Sequence, residues 1–578
     1  MKKQSSMFDF INSKKNNSST DNAKSKLDKE PLSQVNSETT IKSPDENIDN
    51  SNNGQVQDKI NEKADNPAKV NKKRKLENEE IEQFNKDTSK ELLENISKTN
   101  NLTNNNTKSN NNDSKQSDEK SYNFNDLAVA LGPLETVKGK GSKDIIKEAI
   151  ANIFETLLLS YPNDVVRVYY FLLCNTGPEY RTKEMGIGNE IVQKCVAKAI
   201  GKNDKIVRDL MKEIGELGQI AYDGKQTLGT MDSFFIKKTQ KTEEKILTMK
   251  NIFDCFNDIA NISGNSSVGE KEKILLKLLF ACKKDEIKFL VRTLFKPKTL
   301  KISASFKTVI ASLARGIFKV YSEKKSNKNK NSLSITEKEI ERSLLITINQ
   351  MSDYDIIFQE LIKLVTNNED FRELTNHCPI TPGIPLKPML AKPTTGIQII
   401  FQRFDGVPFT CEYKYDGFRG QIHGYKNSKG VFVVEVFSRN LENMTEAYPD
   451  VVHFFYSNYK DSKTFILDCE IVPYDTVTNK ILPFQSLTTR AKKNVNVKDI
   501  TIKVCLFLFD IIYLDGVTYI HKTLEERREI LTANFKETDE IKYATNITSE
   551  NAEDIETIMK EAVEAGIYIT ITIIILFN

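Results

Sequence analysis

Apolar positions divide the chain into three regions with different periodicities. Residues 1 to about 120 are rich in Asn, Ser, Lys, Asp and Glu, with eight asparagines among the thirteen residues 100–112. Such a segment buries too little apolar surface to offset its ordering entropy, so a disordered tail is predicted for 1–120. Helical spacing over 121–367 predicts an all-α domain, and short apolar runs between turns over 380–566 predict an α+β domain.

Individual elements can be read from the same pattern. Ser142 is a possible N-cap and Pro162 a stop for one amphipathic helix. Its apolar stripe comprises Ile146, Ile150, Ile153, Phe154, Leu157 and Leu158. Farther along, the runs 431–437, 464–467 and 502–508 have the length and composition of strands.

One lysine in the third region has the surroundings of a nucleophile. Lys414 follows a run of β-branched and aromatic residues and precedes the turn dipeptide Asp416-Gly417, which predicts a lysine at the end of a strand. A lysine amine becomes nucleophilic when its ordinary pKa of about 10.4 is lowered, and neighbouring cations do this. Arg419 and Arg439 are candidates, and their planar forks also suit phosphate oxygens.

The stretch 412–419 resembles the lysine motif of ATP-dependent DNA ligases, which belong to the covalent nucleotidyltransferase superfamily. Five further stretches match that family in order, namely 385–391, 437–440, 465–470, 483–490 and 508–514. A Lys-x-Asp-Gly sequence alone would be weak, because most lysines beside turns are solvated. Six matches in order argue against that interpretation.

The resemblance implies a role for each candidate side chain. Lys414 would form the covalent bond to AMP, and Glu412, on the same face of the strand, would contact the adenine amino group. Arg419 and Arg439 would contact ribose or phosphate.

Two more site residues follow from the same resemblance. Glu470 matches the carboxylate near the ribose and a divalent metal, and Phe509 matches the ring that stacks on adenine. On composition alone, Glu470 could be a surface carboxylate at a strand end and Phe509 a core aromatic. The expected cofactors are ATP and Mg²⁺.

The helical region resembles the DNA-binding domain that precedes the catalytic core in larger eukaryotic ligases. The matching fragments are 177–178, 185–188, 289–294 and 299–302, and Ser303 stands where the family usually carries glycine. Nicked duplex DNA is the implied partner, held through phosphates without base readout. The candidate contacts are Lys284, Arg292, Lys298 and Lys301. A solvated lysine face on a structural bundle is the alternative.

Two short motifs lie in the N-terminal tail. Gln4, Met7, Phe10 and Ile11 have the spacing of the box by which replication proteins dock onto the sliding clamp, with Ile11 in place of the usual second aromatic. The basic run 72–75 predicts nuclear import. The alternatives are an ordinary starting segment and a solvated charge run.

Composition limits the remaining function classes. The net charge of +3 over 578 residues is too small to argue nucleic-acid binding without local patches. The eight cysteines show no paired spacing and the four histidines are scattered, so neither a zinc site nor a disulfide framework is indicated. The N-terminus lacks a long apolar run, which predicts an intracellular protein without a membrane anchor. A monomer is expected.

The C-terminal stretch departs from the family pattern. After the helix-like segment 551–565 and Gly566, residues 567–578 carry no charged side chain, and eleven of them are apolar or threonine. That run is too short to span a bilayer, which needs about 20 residues, and is more typical of a strand. The departure predicts that the sequence is truncated or misassembled. The nucleotidyltransferase domain would then lack its last motifs, and the oligonucleotide-binding-fold domain would be missing. We therefore expect this chain to take up a covalent label from ATP weakly or not at all.

Three function classes remain open from the sequence. The first is an ATP-dependent DNA ligase of replicative type, acting in DNA replication and repair. The second is a non-catalytic protein that binds the clamp and DNA. The third is a nucleotidyltransferase that acts on RNA.

Overall fold

The structure, a computed structural model, describes residues 120–181, 184–225, 246–264, 266–327, 335–389, 397–404, 407–460, 462–491, 495, 497–564 and 568–570. Residues 1–119 of the predicted disordered tail, with the predicted clamp-binding motif at 4–11 and the basic run at 72–75, lie outside these ranges, as do residues 571–578. Within them, no helix is both long and apolar enough to cross a bilayer.

Helices make up the first half of the described chain, as the apolar spacing predicts. They are α1 (Phe124–Leu131), α2 (Ser142–Ser160), α3 (Val165–Leu172), α4 (Asn189–Ala199), α5 (Asp204–Ile214), α6 (217–225), α7 (Met249–Asn261), α8 (Ser267–Ala281), α9 (Lys284–Leu294), α10 (Phe306–Asn327), α11 (Glu337–Gln350), α12 (Tyr354–Asn367) and α13 (Leu374–His377).

The stripe predicted for α2 is its buried face, with Ile150, Phe154 and Leu157 fully enclosed. The start of the helix differs from the prediction by one position. Gly141, with φ of 85°, is the N-cap, and Ser142 is the first helical residue. Glycine suits this place because it adopts a left-handed conformation without a Cβ clash.

Strands form the second half, interleaved with helices. They are β1 (Phe409–Lys414), β2 (Phe418–Lys426), β3 (Phe432–Ser438), β4 (Phe465–Asp475), β5 (Lys480–Ile481), β6 (Val504–Leu514), β7 (Val517–Thr518), β8 (Ile541–Tyr543), β9 (Asn546–Ser549) and β10 (Tyr568–Thr570). The helices are α14 (Ile397–Arg403), α15 (Pro449–Tyr459), α16 (Gln485–Thr488), α17 (Leu524–Asn534) and α18 (Ala552–Glu564).

Two sheets organise these strands. The larger has the order β3-β2-β4-β6-β7, with β5 paired to β4 and β8 paired to β6, and the smaller has the order β10-β1-β9. The pairs are antiparallel except β6 with β8. An all-α region followed by an α+β region confirms the predicted fold class.

Aromatic packing fixes the helices against the larger sheet. Phe465 of β4 contacts Phe455 of α15 and Phe535 after α17, with ring centroids 5.3 and 5.2 Å apart. All three rings are fully buried. Because β4 is central and anchored on both sides, its middle presents Cys469 and Glu470 at a defined position.

Arg292 of α9 is the centre of a buried ion-pair cluster in the helical region. Its side chain donates to Glu216 at 2.5 Å, to Glu135 at 2.8 Å and to the carbonyl of Leu300 at 3.0 Å. Since it is 5% exposed, it has no room for a DNA phosphate. The prediction of a DNA contact is corrected for Arg292, which instead braces the loop that carries Lys301.

Arg292→Met is expected to lower the free energy of unfolding by about 2–3 kcal/mol, because it removes the buried guanidinium that pairs with the partly buried carboxylates of Glu135 and Glu216. Urea unfolding followed by circular dichroism would measure the loss. Lys301→Met is the matched control. Its ammonium also pairs with Glu216 but its side chain is 47% exposed, so a change of about 0–1 kcal/mol is expected. Equal effects of the two substitutions would contradict the assignment.

Candidate active site

Lys414 stands where the chain passes from one sheet to the other. It is the last residue of β1, it is exposed, and after the bend at Asp416 and Gly417 the chain enters β2. The prediction of a lysine between strand end and turn is confirmed. The strands on either side of the turn do not pair with each other, because β1 pairs with β9 and β10, whereas β2 pairs with β3 and β4.

The turn is pressed against β4. A Cβ at Gly417 would lie 2.4 Å from the carbonyl oxygen of Ile471 and 3.0 Å from Cγ of Glu470. Real Cβ atoms do not approach a backbone oxygen so closely. Only glycine therefore lets the lysine turn sit directly over the strand that carries Glu470.

Arg419 and Glu470 are opposite each other in the register of β2 and β4. Side chains of directly opposed residues lie on the same face of a sheet. The guanidinium of Arg419 also forms an ion pair with Asp468 and lies 5.5 Å from the ring centroid of Phe509.

Glu470 is the electrostatic centre of the candidate site. Its burial raises the pKa of its carboxyl to about 7, and the nearby charges of Lys414, Arg419 and Arg439 oppose that rise. Asp416 acts in the same direction as burial. The structure thus brings these four neighbours within electrostatic reach of one carboxylate. Arg439, exposed just after the end of β3, is in the group although it comes from a different strand.

Glu412 has a partner that the sequence did not reveal. It is buried and forms an ion pair with Arg528 of α17. Burial lowers the pKa of the Arg528 guanidinium to about 10, so it keeps its charge at neutral pH. Nothing in the run 525–529 distinguishes this arginine from a solvated helix charge, and only the packing of α17 shows its position.

Phe509 sits at an irregularity in the pairing of β4 with β6. Asp468 faces Asp510 and Cys469 faces Leu508, so Phe509 between them has no partner residue. Such bulges redirect side chains and are frequent beside active sites. The ring is half-buried, and Asp510 next to it is held by Arg527 through two contacts of 2.7 and 2.9 Å.

The predicted DNA contacts lie in the helical region. The ammonium of Lys284 is 4.4 Å from the ring centroid of Tyr222, Lys298 is exposed, and Lys301 is half-exposed beside Glu216. Ser303, where the family usually has glycine, adopts a φ of 53°. A serine is strained there, since the left-handed region favours glycine.

Comparisons with known proteins match both halves of the chain. A family model described as the N terminus of DNA ligases matches residues 89–314, and one described as the ATP dependent DNA ligase domain matches residues 388–567. This chain belongs to the family of ATP-dependent DNA ligases.

Relatives of this ligase-family chain include DNA ligase 1 of Arabidopsis thaliana, 35% identical over 450 residues, which cover 78% of this chain and 54% of the relative. DNA ligase 1 of Schizosaccharomyces pombe is 35% identical over 422 residues, 72% of this chain and 52% of the relative. A DNA ligase of Acidianus ambivalens is 30% identical over 408 residues, 70% and 62% of the two chains. The chain spans about half the length of the curated relatives it matches.

The apolar C-terminal stretch of this ligase-family chain begins where the second family model ends. Residues 568–570 form β10, antiparallel to β1, with Thr570 opposite Glu412 and Tyr568 opposite Lys414. The strand predicted for this stretch is therefore present over these three residues, next to the lysine strand.

Gly417→Ala is expected to destabilise the protein by about 1–3 kcal/mol, because the added methyl forces the turn away from β4. Thermal unfolding would measure this. Gly132→Ala is the control, since a Cβ there meets nothing within 4 Å and φ is −52°. A neutral effect at 417 would show that the turn does not press on β4.

Glu470→Gln is expected to raise stability at pH 8 by about 2 kcal/mol and to have less effect at pH 5. The folded protein holds the Glu470 proton up to about pH 7, whereas an unfolded glutamate loses it near its usual value. Glu470 therefore contributes stability at low pH that is lost as the pH rises through 7. Urea unfolding of both proteins in metal-free buffer tests this; a difference independent of pH would contradict it.

Proposed function

We propose that the protein is an ATP-dependent DNA ligase that seals nicks in duplex DNA through a covalent bond between Lys414 and AMP. The observation that carries the proposal is the gathering of Lys414, Arg419 and Arg439 around Glu470 from three different strands. The names of the relatives support the same activity. The role proposed for the protein is in DNA replication and repair, in the nucleus.

Each step of the reaction suits the residues present. The Nζ of Lys414 attacks the α-phosphorus of ATP and pyrophosphate leaves. AMP then passes to the 5′-phosphate at a nick, which frees the lysine. Finally the 3′-hydroxyl attacks that phosphate and AMP leaves. Phosphoryl transfer depends on in-line positioning and charge neutralisation, so the two arginines beside the lysine are the groups expected to stabilise the transferred phosphate.

Binding of the adenosine part is assigned to three side chains. Glu412, held by Arg528, would accept from the adenine amino group, and the half-buried ring of Phe509 would stack on the base. Arg419 lies 5.5 Å from the centroid of this ring and opposite Glu470 in the strand register, which suits a contact to ribose or phosphate.

A Mg²⁺ ion fits the same carboxylates. Mg²⁺ is usually held by one or two carboxylates together with substrate phosphates. Glu470 and Asp416, whose charge raises the pKa of Glu470, would hold it here. When bound, the ion would neutralise charge on the phosphates of ATP.

DNA is proposed to lie against the helical region. Lys284, Lys298 and Lys301 would contact backbone phosphates, which carry no base identity and so suit an enzyme that acts at any sequence. Gln4, Met7, Phe10 and Ile11 would dock onto a sliding clamp, and the chain is proposed to act as a monomer.

Incubation with ATP labelled at the α-phosphate and Mg²⁺ is expected to label the wild type covalently, because the lysine amine takes the adenylate. Lys414→Ala should lose the label. Lys426→Ala, at the far end of β2, is the control and should keep it. Gel analysis after denaturation measures the label. The sequence predicts weak or absent labelling of this chain; the proposal is that the label taken up by the wild type is bound to Lys414.

Label that persists in Lys414→Ala, or a wild type that neither binds ATP nor takes up label at millimolar ATP, would contradict the proposal. Sealing of a nicked DNA duplex but not of a nicked RNA duplex would separate the ligase from an enzyme that acts on RNA.

A further inference from the structure

The joining segment, residues 378–389, is fastened to both halves of the described chain. On the helical side, the backbone N–H of Lys387 donates to the carbonyl of Asn349 at 3.0 Å, and its ammonium donates to the hydroxyl of Tyr354 at 2.9 Å. On the strand side, the N–H of Gly383 donates to Nδ1 of His423 at 2.9 Å. The joining segment is thereby held directly against β2.

His423 has a tautomer that its neighbours determine. Since Nδ1 accepts from Gly383, the ring proton lies on Nε2, which is 3.0 Å from Oε1 of Gln421. Burial lowers the pKa of His423 to about 3, so the ring stays neutral at physiological pH. The imidazole therefore donates to the amide oxygen of Gln421.

The side-chain amide of Gln421 connects His423 to Asp468 in one fixed orientation. Its Oε1 accepts from His423 and from the backbone N–H of Leu386 at 2.8 Å, which leaves Nε2 to donate to Oδ1 of Asp468 at 3.2 Å. A flipped amide would place an oxygen against the carboxylate and leave the Leu386 donor unmet. Both side chains are 5% exposed, so water does not offer an alternative partner.

Asp468 connects the chain of hydrogen bonds to the candidate site. Its second oxygen, Oδ2, forms the ion pair with Arg419. Arg419 also lies beside other site residues, with the Phe509 ring centroid 5.5 Å from its guanidinium and Glu470 opposite it in the strand pair. The position of this one guanidinium is thus set by groups that begin in the joining segment.

We propose that Gln421 and Asp468 are positioning residues that hold Arg419 in the nucleotide site and connect it to the joining segment. The inference rests on the proposed function, because its readout is ATP binding. Asp468 does not touch the nucleotide; it keeps the Arg419 fork from rotating away. Docking of the joining segment and the affinity for ATP are therefore linked through Gln421.

A double-mutant cycle tests the positioning role. Asp468→Asn is expected to raise the ATP concentration that half-saturates the protein about tenfold, the equivalent of one charge-assisted hydrogen bond. Arg419→Met should raise it at least as much, and the double variant should match Arg419→Met within about twofold. Gln421→Met should act in the same direction in the wild type and have no effect in the Arg419→Met background. Displacement of a fluorescent ATP analogue gives all values.

Asp450→Asn is the matched control. It breaks the ion pair of Asp450 with Arg490, which is the same chemical change in the same region but away from the site. The unfolding midpoint of Asp450→Asn should fall, while its affinity for ATP should equal that of the wild type. A merely structural role for Asp468 would give this same pattern.

The outcomes separate the two proposals. If the wild type takes Lys414-dependent label but Asp468→Asn and Arg419→Met raise the half-saturating ATP concentration additively, the positioning role is wrong and the ligase function stands. If the wild type neither binds ATP nor takes label, both are wrong. Loss of the Asp468→Asn effect in the Arg419→Met background supports the positioning role.

Discussion

The antiparallel register between β2 and β4 determines the geometry of the candidate site. Arg419 faces Glu470 and Gly424 faces Phe465 only in this register, and a slip of one residue would turn every side chain to the other face. Glycines keep the register, because a Cβ at Gly424 would lie 2.4 Å from the ring of Phe465. The positions of the turn after Lys414 and of Arg419 therefore both depend on the pairing of β2 with β4.

That pairing creates an electrostatic arrangement that is costly in the empty protein. Glu470 is placed where burial disfavours its charge, and three cations from separate strands only partly compensate. Groups of this kind are favourable when an anion or a metal ion joins them, and so the arrangement is typical of a binding site. The same strand, β4, carries Asp468, which orients Arg419 from within the core. Glu470 of the candidate site and Asp468, which orients Arg419, therefore both belong to β4.

Elements that depend on neighbouring residues alone could be predicted from the sequence. The helical stripe of α2, the strand end at Lys414 and the change from helices to strands follow from periodicity and turn residues. Side-chain positions that depend on packing against residues far away in the sequence could not be predicted. Arg292 looks like any basic residue on a helix until Glu135 and Glu216 are seen around it, and neither the bulge at Phe509 nor the pairing of Glu412 with Arg528 has a local signal.

The central claim is that a nucleotide binds with its α-phosphate at Lys414. A crystal structure of the protein with ATP tests it most directly. The account predicts adenine against the ring of Phe509 with its amino group at Glu412, and the α-phosphorus within reach of Nζ of Lys414. A nucleotide bound elsewhere, or one whose phosphates point away from Lys414 and Arg419, would contradict it.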